Sequence, residues 1–404
     1  MPVLSTLRPQ QTLALGLTLG LTLSYILRNL LTSPSPKPPI SAPSPPPDSQ
    51  TNHPYPPNAL PNPRRLQTPY GALQIHEFGP ATGEKVLFLP GISTPCIALS
   101  SLAHYLAQNG YRVMLFDYFG RGYSDAPDPE TVPYDEGLYT AMIPMVLASS
   151  ELSWTGDEAF HLVGYSLGGG LAAAFARRWP RMARSLALMC PGGLIRRDVH
   201  VGLQSRVLYS EGWLPEWLVR YLIKRRITPV ERREGEVNVV DGIREDARRL
   251  GKAKKESDAS GGNTFDNAVL AHGRTVADVM GWQVKENRGF VPAFVSTIRH
   301  APIYDQWEIW GELGRELARR REEGKVPGLR EGRVLLVVGQ TDGVIVKEEL
   351  VEDATKVLGK DGVEVVEVEG GHEVPFTKGR EIGDKLMEFW AGKDKPGDST
   401  WSLS

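Results

Sequence analysis

Beyond Pro69 the chain alternates short apolar runs with longer segments of helical period. Leu73 to Glu77, Val86 to Leu89, Val113 to Asp117, Ala159 to Val163, Ser185 to Cys190, Val334 to Val338 and Val363 to Glu367 read as buried strands. Leu99 to Asn109, Leu138 to Ser149, Leu167 to Trp179, Lys347 to Leu358 and Lys378 to Trp390 read as the helices between them. Strand, helix and strand repeated in this way predict an α/β fold with a mostly parallel, doubly wound sheet covered on both faces. No repeat of solenoid length is visible.

The alternation breaks between Gly192 and about Gly332, a stretch too long for an ordinary crossover. Within it, "WLPEWLVRYLIKRR" places Trp213, Trp217, Leu218, Tyr221 and Leu222 on one apolar side of a helix. A charged stretch from Glu231 to Gly262 follows and ends in the loop-like "SDASGGN". The insertion is expected to form a helical cap over the carboxyl ends of the strands, where open α/β sheets bind ligands. Trp213 and Trp217 are then candidates for lining a substrate pocket, with ordinary packing between cap and sheet as the competing role.

The N-terminus departs from this pattern. Thr12 to Leu27 carries no charge, and Leu30 and Leu31 extend the apolar run. That is about 20 residues, or ~30 Å of helix, which matches a hydrocarbon core. A single-pass membrane anchor over residues 1–31 is the expectation; a cleaved secretory signal, without a small-residue cleavage site here, and a mitochondrial presequence are the competitors. Flanking charges leave the orientation open, and the lack of any N-x-[ST] acceptor favours a cytosolic catalytic domain, with the endoplasmic reticulum as one membrane that fits. From Thr32 to Pro69 there are 14 prolines in 38 residues, so residues 32–65 are expected to be a disordered linker.

Composition narrows the function. The 404 residues carry 46 basic and 48 acidic side chains, for a net charge of -2, so no overall field draws the protein to nucleic acid. The two cysteines, Cys96 and Cys190, lie in apolar settings and supply neither a disulfide framework nor a zinc site. No H-E-x-x-H, Walker A loop or clustered histidine spacing is present, so no metal or cofactor is expected.

The chemistry is concentrated in three loops. In "HLVGYSLGGG", Ser166 stands in a G-x-S-x-G pattern between a predicted strand and a predicted helix, the setting that a nucleophile elbow requires. A serine hydroxyl needs a base, and the base needs an orienting acid. His372 in "VEGGHEVPF" follows the last strand behind a glycine pair, and Asp342 in "LLVVGQTDGVIV" follows the strand before it. The chain order Ser166, Asp342, His372 is one of the known triad orders. Leu167 N–H, at the start of the elbow helix, and Ile92 N–H, in "FLPGIST", are the candidate oxyanion donors. Ser93 is a candidate substrate contact or a cap for the following turn. "HAPIYD", His300 to Asp305, has an H-x-x-x-x-D spacing best taken as coincidence.

With "LPGIS", "FDYFGRGYSD", "GYSLGG", "GQTDG" and "GGHEVPF" in this order, the chain resembles the α/β-hydrolase superfamily over about Leu66 to Trp390. The resemblance implies a Ser166, Asp342, His372 triad, a core over 66–191 and 325–392, a cap over 192–324 and a tail over 393–404. It implies a structural role for Asp117 and for Gly120 to Asp125. One departure is Pro90-Gly91 where relatives usually have His-Gly. Serine at the nucleophile position argues against epoxide hydrolase and dehalogenase chemistry. The chain looks most like membrane-anchored esterases and monoacylglycerol lipases, which implies a small-molecule ester or lipid substrate. Thioester or C–C bond hydrolysis, and a non-enzymatic binding protein on the same fold, stay open.

Overall fold

A computed structural model describes residues 16–24, 37–47, 52–229, 263–324 and 326–392. The chain forms two units, Met1–Pro38 and Pro39–Ser404. In the first, residues 16–24 are helical. Among the described residues no helix is long and apolar enough to cross a membrane. Of the expected anchor, residues 1–15 and 25–31 lie outside the described residues, as do 32–36 and 48–51 of the expected linker, 230–262 of the insertion and the 393–404 tail.

The second unit is built on one eight-stranded sheet: β1 (Pro63–Thr68), β2 (Gly71–Phe78), β3 (Lys85–Leu89), β4 (Arg112–Phe116), β5 (Phe160–Tyr165), β6 (Ala183–Met189), β7 (Val334–Gly339) and β8 (Val363–Val368). Their spatial order is β1-β2-β4-β3-β5-β6-β7-β8. β1 with β2 and β2 with β4 are antiparallel, and every other pair is parallel. The seven strands expected from the sequence are all present. β1 was missed, because "PRRLQT" has no apolar run; it pairs with β2 across the tight turn at Pro69 and Tyr70 and covers an edge.

The helices are α1 (Ser100–Gln108), α2 (Glu136–Ala148), α3 (Leu167–Arg178), α4 (Arg197–His200), α5 (Leu203–Tyr209), α6 (Glu216–Ile227), α7 (Asn263–Asp266), α8 (Val276–Glu286), α9 (Phe290–His300), α10 (Trp307–Glu323), α11 (Lys347–Leu358), α12 (Val374–Thr377) and α13 (Gly379–Ala391). Every residue of β3 and β5 is buried, as parallel strands covered on both faces must be. In α3 the run Leu167–Ala176 is buried throughout, and its glycines and alanines let the helix lie close against β5 and β6. The registers pair Leu89 with Gly164, Gly164 with Leu188, Met189 with Val337, and Gly339 with Val368. The loops that follow β3, β5, β7 and β8 therefore leave the sheet at one edge. The order of strands reverses at β3, and a crevice opens at such a point.

Two boundaries differ from expectation. α10 packs on α3 and α11, with Trp310, Leu313 and Leu317 buried, so it is the crossover helix that a parallel β6–β7 pair requires, and not part of the insertion. The linker is the second case. Ile40 pairs with Ala126, Ala42 N–H donates to Asp125, and Tyr55 and Leu60 are fully buried. Proline removes donors, but this strap uses remaining ones against the core and packs the Tyr55 ring against those of Tyr123 and Trp282.

Tyr55 hydroxyl contacts to His76 and Cys96 are long, 3.4 and 3.6 Å, so its ring carries most of the attachment. Tyr55→Ala is expected to destabilise the unit by about 3–5 kcal/mol and Tyr55→Phe by about 1 kcal/mol, measured by denaturant unfolding.

Candidate active site

Ser166 sits at the junction of β5 and α3 with φ 53° and ψ -118°, a strained conformation for a residue with a side chain, costing on the order of 1–3 kcal/mol. The turn is this sharp because its neighbours are glycines. A Cβ on Gly164 would collide with the carbonyl of Gly168, and one on Gly168 with the carbonyl of Leu89. Gly168 N–H donates to Pro90 O at 3.1 Å, which fixes the elbow to the loop after β3.

His372 and Asp342 meet this serine from the loops after β8 and β7. His372 Nε2 lies 3.0 Å from Ser166 Oγ, and His372 Nδ1 lies 2.8 Å from Asp342 Oδ2. Val344 and Ile345 N–H donate to the other Asp342 oxygen at 2.8 and 2.9 Å. Burial alone would raise the Asp342 carboxyl, but the facing His372 and these two amides hold it below its ordinary value. The carboxylate therefore stays ionised and keeps the proton on Nδ1, leaving Nε2 as an acceptor for the serine proton.

The two expected oxyanion donors flank Ser166. An added Cβ on Gly91 would stand 3.6 Å from Ser166 Cβ, so the Gly91–Ile92 peptide lies against the nucleophile. Among the described residues, neither Ile92 N–H nor Leu167 N–H has a hydrogen-bond acceptor. Both are available to a developing oxyanion. Ser93 is buried; its carbonyl accepts from Gln283 Nε2 at 2.9 Å, and the next turn is capped by Pro95, so it does not act as a cap.

Trp213 and Trp217 stand at the surface of the insertion. They are 78% and 70% exposed, and Tyr221 and Leu222 beside them are exposed as well. α6 instead buries Val219 and Ile223, on its opposite side. Both sides of this helix are apolar, and the pattern did not distinguish them. The insertion contributes Phe265 at the site, buried with its ring 5.9 Å from His372 and 5.7 Å from Phe376.

Three further groups brace the site: Tyr165, which sequence reasoning did not single out, Cys190, expected only as a cysteine in an apolar setting, and Asp117, for which the resemblance implied a structural role. Tyr165 hydroxyl donates to His372 O at 2.9 Å. Cys190 Sγ lies within 4.8 Å of ligand atoms of both Asp342 and His372, its thiol pushed well up by burial and by Asp342. Asp117 is fully buried and accepts from Cys96 N–H at 2.8 Å and Tyr123 N–H at 3.0 Å, with burial raising its carboxyl to about 6. It ties the end of the loop after β3 to the loop after β4.

The sequence profile of the alpha/beta hydrolase fold matches residues 86–379, most of the chain, and the protein belongs to that family. Among curated proteins it is similar to a serine hydrolase-like protein of Danio rerio, 29% identical over 135 residues, 33% of this chain and 39% of that one. It is also similar to a proline iminopeptidase of Thermoplasma volcanium, 34% identical over 103 residues, 26% of this chain and 32% of that one. The chain thus matches well under half the length of these relatives. Naproxen esterase from Bacillus subtilis has the same fold, with a TM-score of 0.51 and 13% identity over 82% of this chain and 93% of that one.

Asp342→Asn is expected to keep the fold and lower kcat by about 10⁴-fold, because an amide facing Nδ1 reverses the tautomer. With the Asp342 carboxyl held below its ordinary value, its protonation is expected to add no second proton to the acid limb of kcat against pH; a limb of slope two rejects this. Trp213→Ala and Trp217→Ala are expected to leave stability within about 0.5 kcal/mol of wild type, with chain-length preference unchanged.

Proposed function

We propose that the protein is a serine hydrolase that cleaves carboxylic esters through an acyl-enzyme on Ser166. The observation that carries this reading is the continuous chain from Asp342 through His372 to Ser166 Oγ beside two unengaged amide donors. His372 Nε2 takes the hydroxyl proton as Oγ bonds to the ester carbonyl carbon, and the carbonyl oxygen gathers charge against Ile92 and Leu167 N–H. Nε2–H then protonates the leaving alkoxide as the C–O bond breaks. Water repeats the cycle, giving its proton to His372 and releasing the acid and Ser166.

The acyl group is apolar in this reading. Support comes from Phe265 and Phe376, which put aromatic surface beside His372. The described insertion α4–α9 acts as the cap. The N-terminal segment 12–31 is a single-pass anchor that holds the hydrolase at a membrane, with the catalytic unit on the cytosolic side; the uncharged run from Thr12 to Leu27 supports this.

Ser166→Ala is expected to fold normally and lose roughly 10³-fold or more in kcat on p-nitrophenyl esters. A chain-length series, with matched thioesters, tests the substrate class: rates rising from acetate to medium acyl chains on oxygen esters support the reading, and preference for the thioester overturns it. Full-length protein is expected in the pellet after alkaline carbonate extraction, and its release rejects the anchor.

A further inference from the structure

The loop that carries Ile92 is held in an unusual way. Arg121 is completely buried, and among the described residues no carboxylate pairs with it. Its Nε donates to Ile92 O at 3.0 Å, Nη1 to Phe119 O at 3.2 Å, and Nη2 to Thr297 Oγ1 on α9 at 3.0 Å. Tyr134 and Phe290 rings lie against the guanidinium. Gln283, on α8, is also completely buried. Its Oε1 accepts from Gly122 N–H at 3.0 Å and its Nε2 donates to Ser93 O at 2.9 Å.

A buried guanidinium without a counter-ion is costly, and an apolar side chain would fill its place more favourably. The position of the bonds suggests what offsets that cost. Three carbonyls around the loop are fixed: Pro90 O by Gly168 N–H, Ile92 O by Arg121, and Ser93 O by Gln283. The Gly91–Ile92 peptide between them makes no hydrogen bond among the described residues. Its N–H is the candidate oxyanion donor. Arg121 holds the next peptide plane, Ile92–Ser93, and Gln283 holds the one after it, so the backbone that leaves Ile92 is kept from turning and carrying its N–H away from the developing negative charge.

We propose that Arg121 and Gln283 are positioning residues for the oxyanion site, holding the Ile92 and Ser93 carbonyls so that Ile92 N–H keeps its direction. Because Thr297 and Gln283 belong to α9 and α8, the donor is set only when these insertion helices are seated. The inference rests on the acyl-enzyme reading above.

The test uses full-length protein carrying Arg121→Met, Arg121→Lys, Gln283→Met and Thr297→Val. Each is measured for kcat and KM on a p-nitrophenyl ester, affinity for a trifluoromethyl ketone, which binds as a tetrahedral oxyanion, and melting temperature. Arg121→Met and Gln283→Met are expected to lower kcat roughly 10- to 100-fold with KM within about threefold, less than the loss of a donor itself. Ketone affinity falls in the same proportion, and Arg121→Lys, which keeps a donor, recovers part of the rate. Folded variants with kcat within about twofold of wild type, or with kcat lowered and ketone affinity unchanged, overturn the proposal. If Arg121→Met does not fold, Gln283→Met and Thr297→Val decide the point by the same two measurements. Wild-type protein inert to esters and to a serine-directed phosphonate overturns the acyl-enzyme reading itself, and that result is distinct from active wild type with unaffected variants.

Discussion

The positive φ of Ser166 is the constraint on which the site depends. A strand that ends in a residue at φ 53° cannot continue its ladder, and the chain turns into α3 within one peptide. The turn lifts Oγ out of the sheet edge and points the first amides of α3 toward the same space. It is tolerated because α3 is buried along most of its length and because Gly168 is bonded to the loop after β3. A strained backbone persists when its surroundings determine it more strongly than its own preference does.

The registers of the parallel strands do the rest. They bring the ends of β3, β5, β7 and β8 to one edge, so that residues 92, 166, 342 and 372, far apart in the chain, meet there. Each side chain is then held by a neighbour of different chemistry. Asp342 is fixed by two amides, His372 by Asp342 and by the ring of Tyr165, and the loop after β3 by Asp117, Arg121 and Gln283. Bonded buried polar networks of this kind favour one arrangement over near alternatives. The strap through Tyr55 joins the same region, since Trp282, its packing partner, precedes Gln283 on α8.

Most of this frame was legible in the chain because buried parallel strands are apolar throughout, and elbow chemistry demands glycines at set spacings. Ser166 and Asp342 each follow a strand whose apolar run announces it, whereas His372 follows β8, where glutamates interrupt the valines. The rest was hidden for physical reasons. β1 is an edge strand of alternating exposure with two arginines, and it has no apolar signature. Proline-rich composition excludes regular structure but does not exclude an irregular strap with one aromatic anchor. α6 has apolar residues on both sides, and burial chose Val219 and Ile223 over the tryptophans. Arg121 and Gln283 are separated by 162 positions in sequence, and what they share is a pair of adjacent carbonyls that only the fold brings near.

The central claim is that Ser166 is the nucleophile of an ester hydrolase. Its most direct test is reaction of the purified protein with a fluorophosphonate, with peptide mass mapping and residual ester hydrolysis followed together. One phosphonyl group per chain on Ser166, with activity lost in proportion to labelling, is the predicted result. Labelling at another residue, or full hydrolysis by completely labelled protein, would contradict it.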